Sequence, residues 1–241
     1  MRSGSVKQRV LRAFHSLGID VRRVASAPSL IDFLHSRKID TLYDVGANIG
    51  QFATRIRAFG YAGDILSFEP IASVYAKLAH RAAGDGRWQT RNIALGDVAR
   101  TAEIRVSEDT VFSSLRDATP LAGRFDKRSR VERREQIQIE TFDAVASGIA
   151  GQRAFLKIDT QGFERQVLDG AANALRHLLG VQLELPIEHL YDATWTLPEA
   201  IVHMERLGFT LAQAHPTNTL PYDRASVVEL DCIFRRTAGL A

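Results

Sequence analysis

The sequence predicts an α/β fold: a sheet of seven strands, mostly parallel with one antiparallel strand near the C-terminus, and helices on both faces. Short apolar runs alternate with helical periodicity along residues 41–97 and again along 154–235, as in βαβ units. Within the first runs, apolar residues do not alternate with polar ones, which is typical of strands covered on both faces. The last two runs are joined by a short connection through Pro216 to Pro221, which indicates an antiparallel pair.

The elements follow from these patterns in chain order. Residues 1–40 are predicted to form a helical cap, with a first helix carrying Val6, Val10 and Phe14 at helical spacing and a second from Leu30 to Arg37. Strands of the sheet are predicted at 42–45, 65–68, 89–94, 154–158, 181–185, 209–213 and 227–235. Helices are predicted at 51–59, 71–82, 163–177 and 197–207. Residues 41–241 are predicted to form the second domain, which contains the sheet.

The segment between the two α/β halves has a different pattern. Ala102–Val106 and Gln136–Glu140 alternate apolar and polar residues with period two, which predicts a half-exposed β-hairpin. Between them, residues 107–135 form a polar insertion. We expect this insertion to fold over the ligand-binding edge of the sheet, because it follows the third predicted strand.

Composition narrows the class of protein. The 241 residues suffice for one buried core, and the net charge of +3 is too small to indicate nucleic-acid binding by itself. Cys232 is the one cysteine, which excludes an internal disulfide and a cysteine zinc cluster. No apolar run approaches the roughly 18 residues of a membrane span. Arg9 and Arg12 interrupt the short apolar stretch at the N-terminus, so we expect no signal peptide and a cytoplasmic location.

A glycine loop follows the first strand of the alternating region. Gly46 and Gly50 bracket a tight turn at the carboxyl end of that strand, where open α/β sheets bind ligands. Glu69 ends the next strand and can accept both hydroxyls of a ribose. Asn48 stands where the dinucleotide fingerprint needs its second glycine, so a pyrophosphate is disfavoured. Without a Gly-Lys-Ser/Thr motif, triphosphate binding is also unsupported.

The charge before this loop narrows the ligand further. Asp44 is predicted to point into the site, where it would attract a cationic amine and repel phosphate. A nucleoside with an amino-acid arm satisfies both conditions, which indicates S-adenosylmethionine. The alternative is an ordinary βαβ turn in which Glu69 is merely solvated.

A series of motifs then resembles the FkbM-type methyltransferases over roughly residues 40–236. The motifs, in the family's order, are Asp44-Val-Gly-Ala-Asn-Ile-Gly50, Phe68-Glu69-Pro70, Asn92-Ile-Ala-Leu-Gly-Asp97, Ser113-Ser114-Leu115, Leu156-Lys-Ile-Asp159-Thr-Gln-Gly162-Phe-Glu164, Val167-Leu-Asp-Gly-Ala171, Gln182-Leu-Glu184 and Asp231-Cys-Ile-Phe234. The resemblance implies a Rossmann-like fold and an S-adenosylmethionine-dependent O-methyltransferase. It further implies a small-molecule or glycolipid acceptor that carries a sugar hydroxyl. The arginine-rich chain also resembles actinobacterial members that act on glycolipid deoxysugars.

The resemblance assigns roles to individual residues. The glycine loop would surround the methionine arm, Glu69 would hold the ribose, and residues 92–95 would flank the adenine, although Asn92 could equally cap a turn. The complete predicted cofactor set is Asp44, Gly46, Ala47, Asn48, Gly50, Glu69, Pro70, Asn92, Ile93, Ala94, Leu95 and Asp159.

The chemistry requires a base near a hydroxyl acceptor. Asp159 is the first candidate, because it ends a buried strand at the carboxyl edge of the sheet; its alternative role is to cap the helix near residue 163. Glu184 and His189, at the end of the adjacent strand, are further candidates. Ser113 and Ser114 offer hydroxyls suited to binding a sugar.

Three other hypotheses remain open. Asp159, Glu184 and Asp231 raise the question of a divalent cation, but the sequence lacks a dense acidic motif and we predict no metal.

Residues 124–134 concentrate positive charge, which favours a nucleic-acid methyltransferase as the second hypothesis. Interleaved acids and a single aromatic residue instead favour a solvated loop, so we expect no nucleic-acid partner. A non-catalytic adenosyl-binding protein is the third hypothesis. Peripheral membrane contact and a homodimer are left open.

Overall fold

The computed structural model describes residues 28–149 and 151–237. The predicted first helix around Val6 to Phe14 therefore lies outside the described residues. The second predicted helix is confirmed as α1, Leu30–Ser36, which begins with a capping box between Ser29 and Asp32.

The described elements follow the predicted alternation. The strands are β1 Thr41–Val45, β2 Asp64–Phe68, β3 Trp88–Arg91, β4 Ala94–Leu95, β5 Arg100–Ser107, β6 Val131–Glu140, β7 Ala154–Ile158, β8 Leu178–Pro186, β9 Phe209–Leu220 and β10 Asp223–Arg236. The remaining α-helices are α2 Gln51–Ala58, α3 Ala72–Ala82, α4 Pro120–Phe125, α5 Phe142–Val145, α6 Glu164–Asp169 and α7 Leu197–Arg206.

The main sheet has seven strands in the order β3-β2-β1-β7-β8-β10-β9. Neighbouring strands pair in parallel except for β10, which is antiparallel to both β8 and β9. The predicted fold class is therefore confirmed. Aromatic side chains fill both faces: Tyr43 packs edge-on against Phe142 on one face, and Phe33 packs edge-on against Phe155 on the other.

A second sheet, in the order β4-β6-β5, accounts for the segment after β3. The β5–β6 pair is the predicted hairpin, with Ala102 opposite Ile137. Residues 107–135 lie mostly between these strands and contain α4 and two short 3-10 turns. Ala122 and Leu121 of this insertion pack against Leu190, Leu220 and Val228, so the insertion lies against the distal half of the β9–β10 hairpin.

Several predicted boundaries differ from the structure, and three of the differences have a structural explanation. The strand expected at 89–94 ends at Arg91, because the chain bends at Asn92 and continues into β4 of the second sheet. The helix expected at 163–177 is interrupted after Asp169 by Gly170, where an added Cβ would lie 1.9 Å from the carbonyl oxygen of Gly96. The predicted loop from Pro216 is instead part of β9, an edge strand, where a proline is tolerated.

None of the helices in the described part of the chain combines the length and apolar character needed to cross a bilayer.

Candidate active site

A cavity of about 420 Å³ opens at the carboxyl ends of the parallel strands. It lies where β1, β2, β7 and β8 end and is bordered by residues 110–113 and Leu115 of the insertion. The predicted site residues that line it are Gly46, Ala47, Asn48, Glu69, Pro70, Ile93, Ala94, Leu95, Ser113, Asp159 and Glu184. The predicted ones that do not line it are Asp44, Gly50, Asn92, Ser114 and His189.

The glycine loop approaches the neighbouring strand closely. Gly46 has φ +74°, and a Cβ at this position would lie 1.8 Å from the backbone oxygen of Asp159. Asn48 also has positive φ, and its backbone N–H donates to Oε2 of Glu69 at 3.0 Å. The loop is therefore held closely against the residues that end β2 and β7.

Gly46→Ala is expected to destabilise the protein by several kcal/mol, because the methyl group would overlap the Asp159 carbonyl and the backbone would be strained. Chemical denaturation measures the effect. Gly60→Ala is the matched control: Gly60 also has positive φ, but no atom lies within 4 Å of its added Cβ. Equal losses in the two variants would show that strain, not the close approach to β7, is responsible.

Glu69 is a buried carboxylate held by backbone amides. Its second oxygen, Oε1, accepts the backbone N–H of Ile71 at 2.9 Å. Burial raises the pKa of Glu69 to about 7, although the hydrogen bonds from Ile71 and Asn48 favour the ionised form. The side chain is thus fixed in position at the wall of the cavity.

Asp44 does not point into the cavity as expected. Its Oδ1 lies 3.1 Å from Nζ of Lys157, and its Oδ2 accepts the hydroxyl of Ser67 at 3.3 Å. The three residues form a buried row because Ser67, Asp44 and Lys157 are in register across β2, β1 and β7. The Asp44 charge is therefore compensated within the protein, and a cationic ligand is not needed to neutralise it.

Lys157 connects this row to the cavity. Besides Asp44, its Nζ contacts Oδ2 of Asp159 at 3.3 Å and the backbone oxygen of Gly46 at 3.3 Å. Sequence reasoning gave Lys157 no role. The available signal was a lysine in the middle of an otherwise apolar strand, which requires buried partners.

Asp159 and Glu184 form a pair at the cavity wall. The Gln161 side-chain amide donates to both, at 3.0 Å to Oδ1 of Asp159 and 2.7 Å to Oε2 of Glu184. Its own oxygen accepts the Tyr191 hydroxyl at 2.9 Å, which fixes the orientation of the amide. Gln161 has φ +55°, so a left-handed backbone residue after β7 brings the bridge into place.

The two carboxyl groups have opposite pKa shifts. Burial and the neighbouring charges of Asp159 and Glu229 raise the pKa of Glu184 well above its ordinary value. Burial acts in the same direction on Asp159, but the Lys157 ammonium and the Gln161 amide lower its pKa below the ordinary value. When the pair shares one proton, these opposite shifts favour the proton on Glu184 and the charge on Asp159.

Three predicted residues have supporting contacts instead of cavity contacts. The Nδ1 atom of His189 lies 2.6 Å from the Thr194 hydroxyl, so this imidazole faces its own loop. The buried Ser114 hydroxyl donates to the backbone oxygen of Gln161 at 2.6 Å. The Asn92 amide donates to the backbone oxygen of Glu69 at 2.9 Å, which corresponds to the alternative role as a turn residue.

The basic run of the insertion is largely paired within the chain. Arg128 lies 2.9 Å from Asp109 and 2.6 Å from Asp126, and Arg134 lies 2.9 Å from Glu103. Arg124 stacks over the ring of Tyr222 at 5.4 Å. These pairs balance much of the positive charge locally, as in a solvated surface segment.

In the described parts of the chain, no group of three His, Cys, Asp or Glu residues is arranged to hold a metal ion.

The sheet order and the glycine loop facing Glu69 define the Rossmann-like methyltransferase class. The profile of the methyltransferase FkbM domain matches residues 44–211. The chain therefore belongs to the FkbM methyltransferase family, as predicted, and its cofactor is S-adenosylmethionine. No curated protein sequence matches the chain significantly.

Several solved structures are similar to the chain at low sequence identity. TehB from Haemophilus influenzae has 9% identity and a TM-score of 0.47, over 88% of this chain and 63% of that one. A TehB-like SAM-dependent methyltransferase from Corynebacterium glutamicum has 13% identity and a TM-score of 0.42, over 95% of each chain. Aeropyrum pernix fibrillarin, solved with S-adenosyl-L-methionine, has 12% identity and a TM-score of 0.43, over 81% of this chain and 66% of that one.

Proposed function

We propose that the protein transfers a methyl group from S-adenosylmethionine to a hydroxyl of a sugar, in a glycolipid or another natural product. The observation that carries this proposal is the Asp159–Glu184 pair at the cavity wall, which can receive the proton of a hydroxyl. Membership of the family indicates methyl transfer as the class of reaction. The sugar acceptor is inferred from the resemblance described in the sequence analysis.

The cavity residues fit the cofactor. Glu69 offers carboxylate oxygens for the ribose hydroxyls, and the apolar side chains of Ile93, Leu95 and Phe163 provide a slot for the adenine. The backbone of the glycine loop would lie along the methionine arm. In this arrangement Asp159 occupies the wall where the methyl group would meet its acceptor.

When bound, S-adenosylmethionine supplies an electrophilic methyl group whose C–S electron pair stays on sulfur. Asp159 accepts a hydrogen bond from the acceptor hydroxyl and then its proton, while the hydroxyl oxygen forms the new C–O bond. A carboxylate of low pKa suffices, because the proton becomes strongly acidic as the oxygen is alkylated. Lys157 keeps Asp159 ionised before the reaction, and Gln161 holds the carboxylate in place.

Cofactor binding is expected to depend on pH through Glu69. Its pKa of about 7 means that the charged acceptor is lost as the pH falls below neutrality. If only the ionised form binds the ribose, affinity for S-adenosylhomocysteine weakens about tenfold between pH 8 and pH 6. Calorimetry at both pH values measures this ratio. Glu69→Gln should bind S-adenosylhomocysteine more weakly than the parent at pH 8 and show no such pH dependence. If the parent binds it equally well at pH 8 and pH 6, Glu69 does not hold the ribose.

The proposed function is tested by supplying labelled S-adenosylmethionine with a glycolipid extract that lacks methyl ethers. The label is expected in a sugar methyl ether. Methylation of RNA that falls steeply between about 50 and 200 mM salt, with none on glycolipid, would favour the nucleic-acid hypothesis. Stoichiometric cofactor binding without turnover on either acceptor would favour an adenosyl-binding protein.

A further inference from the structure

We propose that cavity-lining residues of β8, β9 and β10 form a subsite that binds the unreacting hydroxyls of a neutral sugar. The subsite consists of Gln182, Asn218, Glu229 and Asp231. It rests on the proposed function, because it would hold the sugar whose remaining hydroxyl faces Asp159. All four residues line the same cavity as Asp159.

Gln182 supplies the observation that points to a ligand. Its side chain is 3% exposed and lines the cavity, yet its Oε1 has no hydrogen-bond partner among the described residues. A buried acceptor without a donor costs stability, so such atoms in folded proteins call for an explanation. A ligand hydroxyl in the cavity would supply the missing donor.

The surrounding residues are brought together by strand register. Gln182 lies opposite Lys157 of β7, and Asp231 lies opposite Glu184 in the antiparallel β8–β10 pair. On the neighbouring strand, the Asn218 amide donates to Oε2 of Glu229 at 2.8 Å. The subsite therefore combines two amides with two carboxyl groups.

The composition of the subsite favours hydroxyls. Lys157 is already engaged by Asp44 and Asp159, and the remaining carboxyl groups would repel an anion. An ammonium group needs acceptors alone, whereas each amide here has two N–H groups and so offers donors as well. A sugar hydroxyl both donates and accepts, which matches the mixed set.

Two glutamine-to-leucine variants separate an effect on sugar binding from a general effect on the fold. Gln182→Leu removes the unpartnered oxygen in the cavity. Gln166→Leu removes another buried, unpartnered side-chain oxygen, but Gln166 does not line the cavity. Calorimetry on the protein loaded with S-adenosylhomocysteine would measure binding of methyl glycosides of neutral hexoses and 6-deoxyhexoses, with the methyl glycoside of glucosamine for comparison.

We expect at least one neutral glycoside to bind, Gln182→Leu to weaken that binding by about tenfold or more, and Gln166→Leu to leave it unchanged. Affinity for S-adenosylhomocysteine should be the same in all three proteins. Asn218→Ala, a second variant, should weaken glycoside binding as well. The subsite is overturned if no neutral glycoside binds, if the glucosamine glycoside binds more tightly than every neutral one, or if the two leucine variants behave alike.

The same proteins distinguish this subsite from the proposed reaction. Glycoside binding that depends on Gln182, with no methyl ether formed on any sugar, would support the subsite and contradict O-methylation. Methyl ether formation on a sugar, with the same KM for that sugar in Gln182→Leu as in the parent, would support O-methylation and contradict the subsite.

Discussion

Asp159→Asn is expected to slow methyl transfer by about 10²–10⁴-fold while affinity for S-adenosylhomocysteine is maintained. Asparagine keeps the size and the hydrogen bond to the Gln161 amide but cannot accept the hydroxyl proton. Single-turnover rates with labelled cofactor measure the loss. This variant separates the role of base from the alternative role of helix cap. Asparagine caps a helix nearly as well as aspartate, so a residue that is only a cap would leave the rate almost unchanged.

Glu184→Gln is the control that the structure offers. Burial and nearby carboxylates raise the pKa of Glu184 well above its ordinary value, which favours its neutral form; a neutral amide resembles that form, so the rate should fall much less. The reverse order, with Glu184→Gln inactive and Asp159→Asn active, would move the role of base to Glu184.

Lys157→Met is expected to cause the largest loss of stability, about 3–5 kcal/mol. The substitution leaves the fully buried Asp44 and its neighbour Asp159 without their cation. Denaturant unfolding measures the change in free energy, and Lys77→Met, on an exposed face of α3, should change it by less than about 0.5 kcal/mol.

A double variant tests whether the buried pair is the cause. Adding Asp44→Asn to Lys157→Met removes one of the two charges left unpaired, so the double variant should be more stable than Lys157→Met alone. If Lys157→Met and Lys77→Met lower the free energy of unfolding by the same small amount, the Lys157 ion pairs contribute nothing to folding.

The parts of the fold that sequence predicted are those with local signals. The apolar runs of β1 and β7 and the glycine loop between Gly46 and Gly50 depend on neighbouring residues, and their positions agree with the structure. Gly170 within the predicted helix 163–177 is a local signal for a helix end, and the structure shows that the helix ends there.

The contacts inside the site could not be predicted from local sequence signals. The pairing of Asp44 with Lys157 depends on the register between two strands far apart in the chain, and it reverses the expected orientation of Asp44. The Gln161 bridge depends on a left-handed backbone residue that is neither glycine nor asparagine. His189 follows the end of β8, as predicted, but the loop directs its ring to Thr194.

The most direct test of the account is a crystal structure of the protein with S-adenosylhomocysteine. The account predicts that the ligand lies in the cavity with its ribose hydroxyls within hydrogen-bond distance of the Glu69 carboxylate and its sulfur on the side of Asp159. Binding outside this cavity, or inside it with the ribose away from Glu69, would contradict the central claim that this edge of the sheet is the methyl-transfer site.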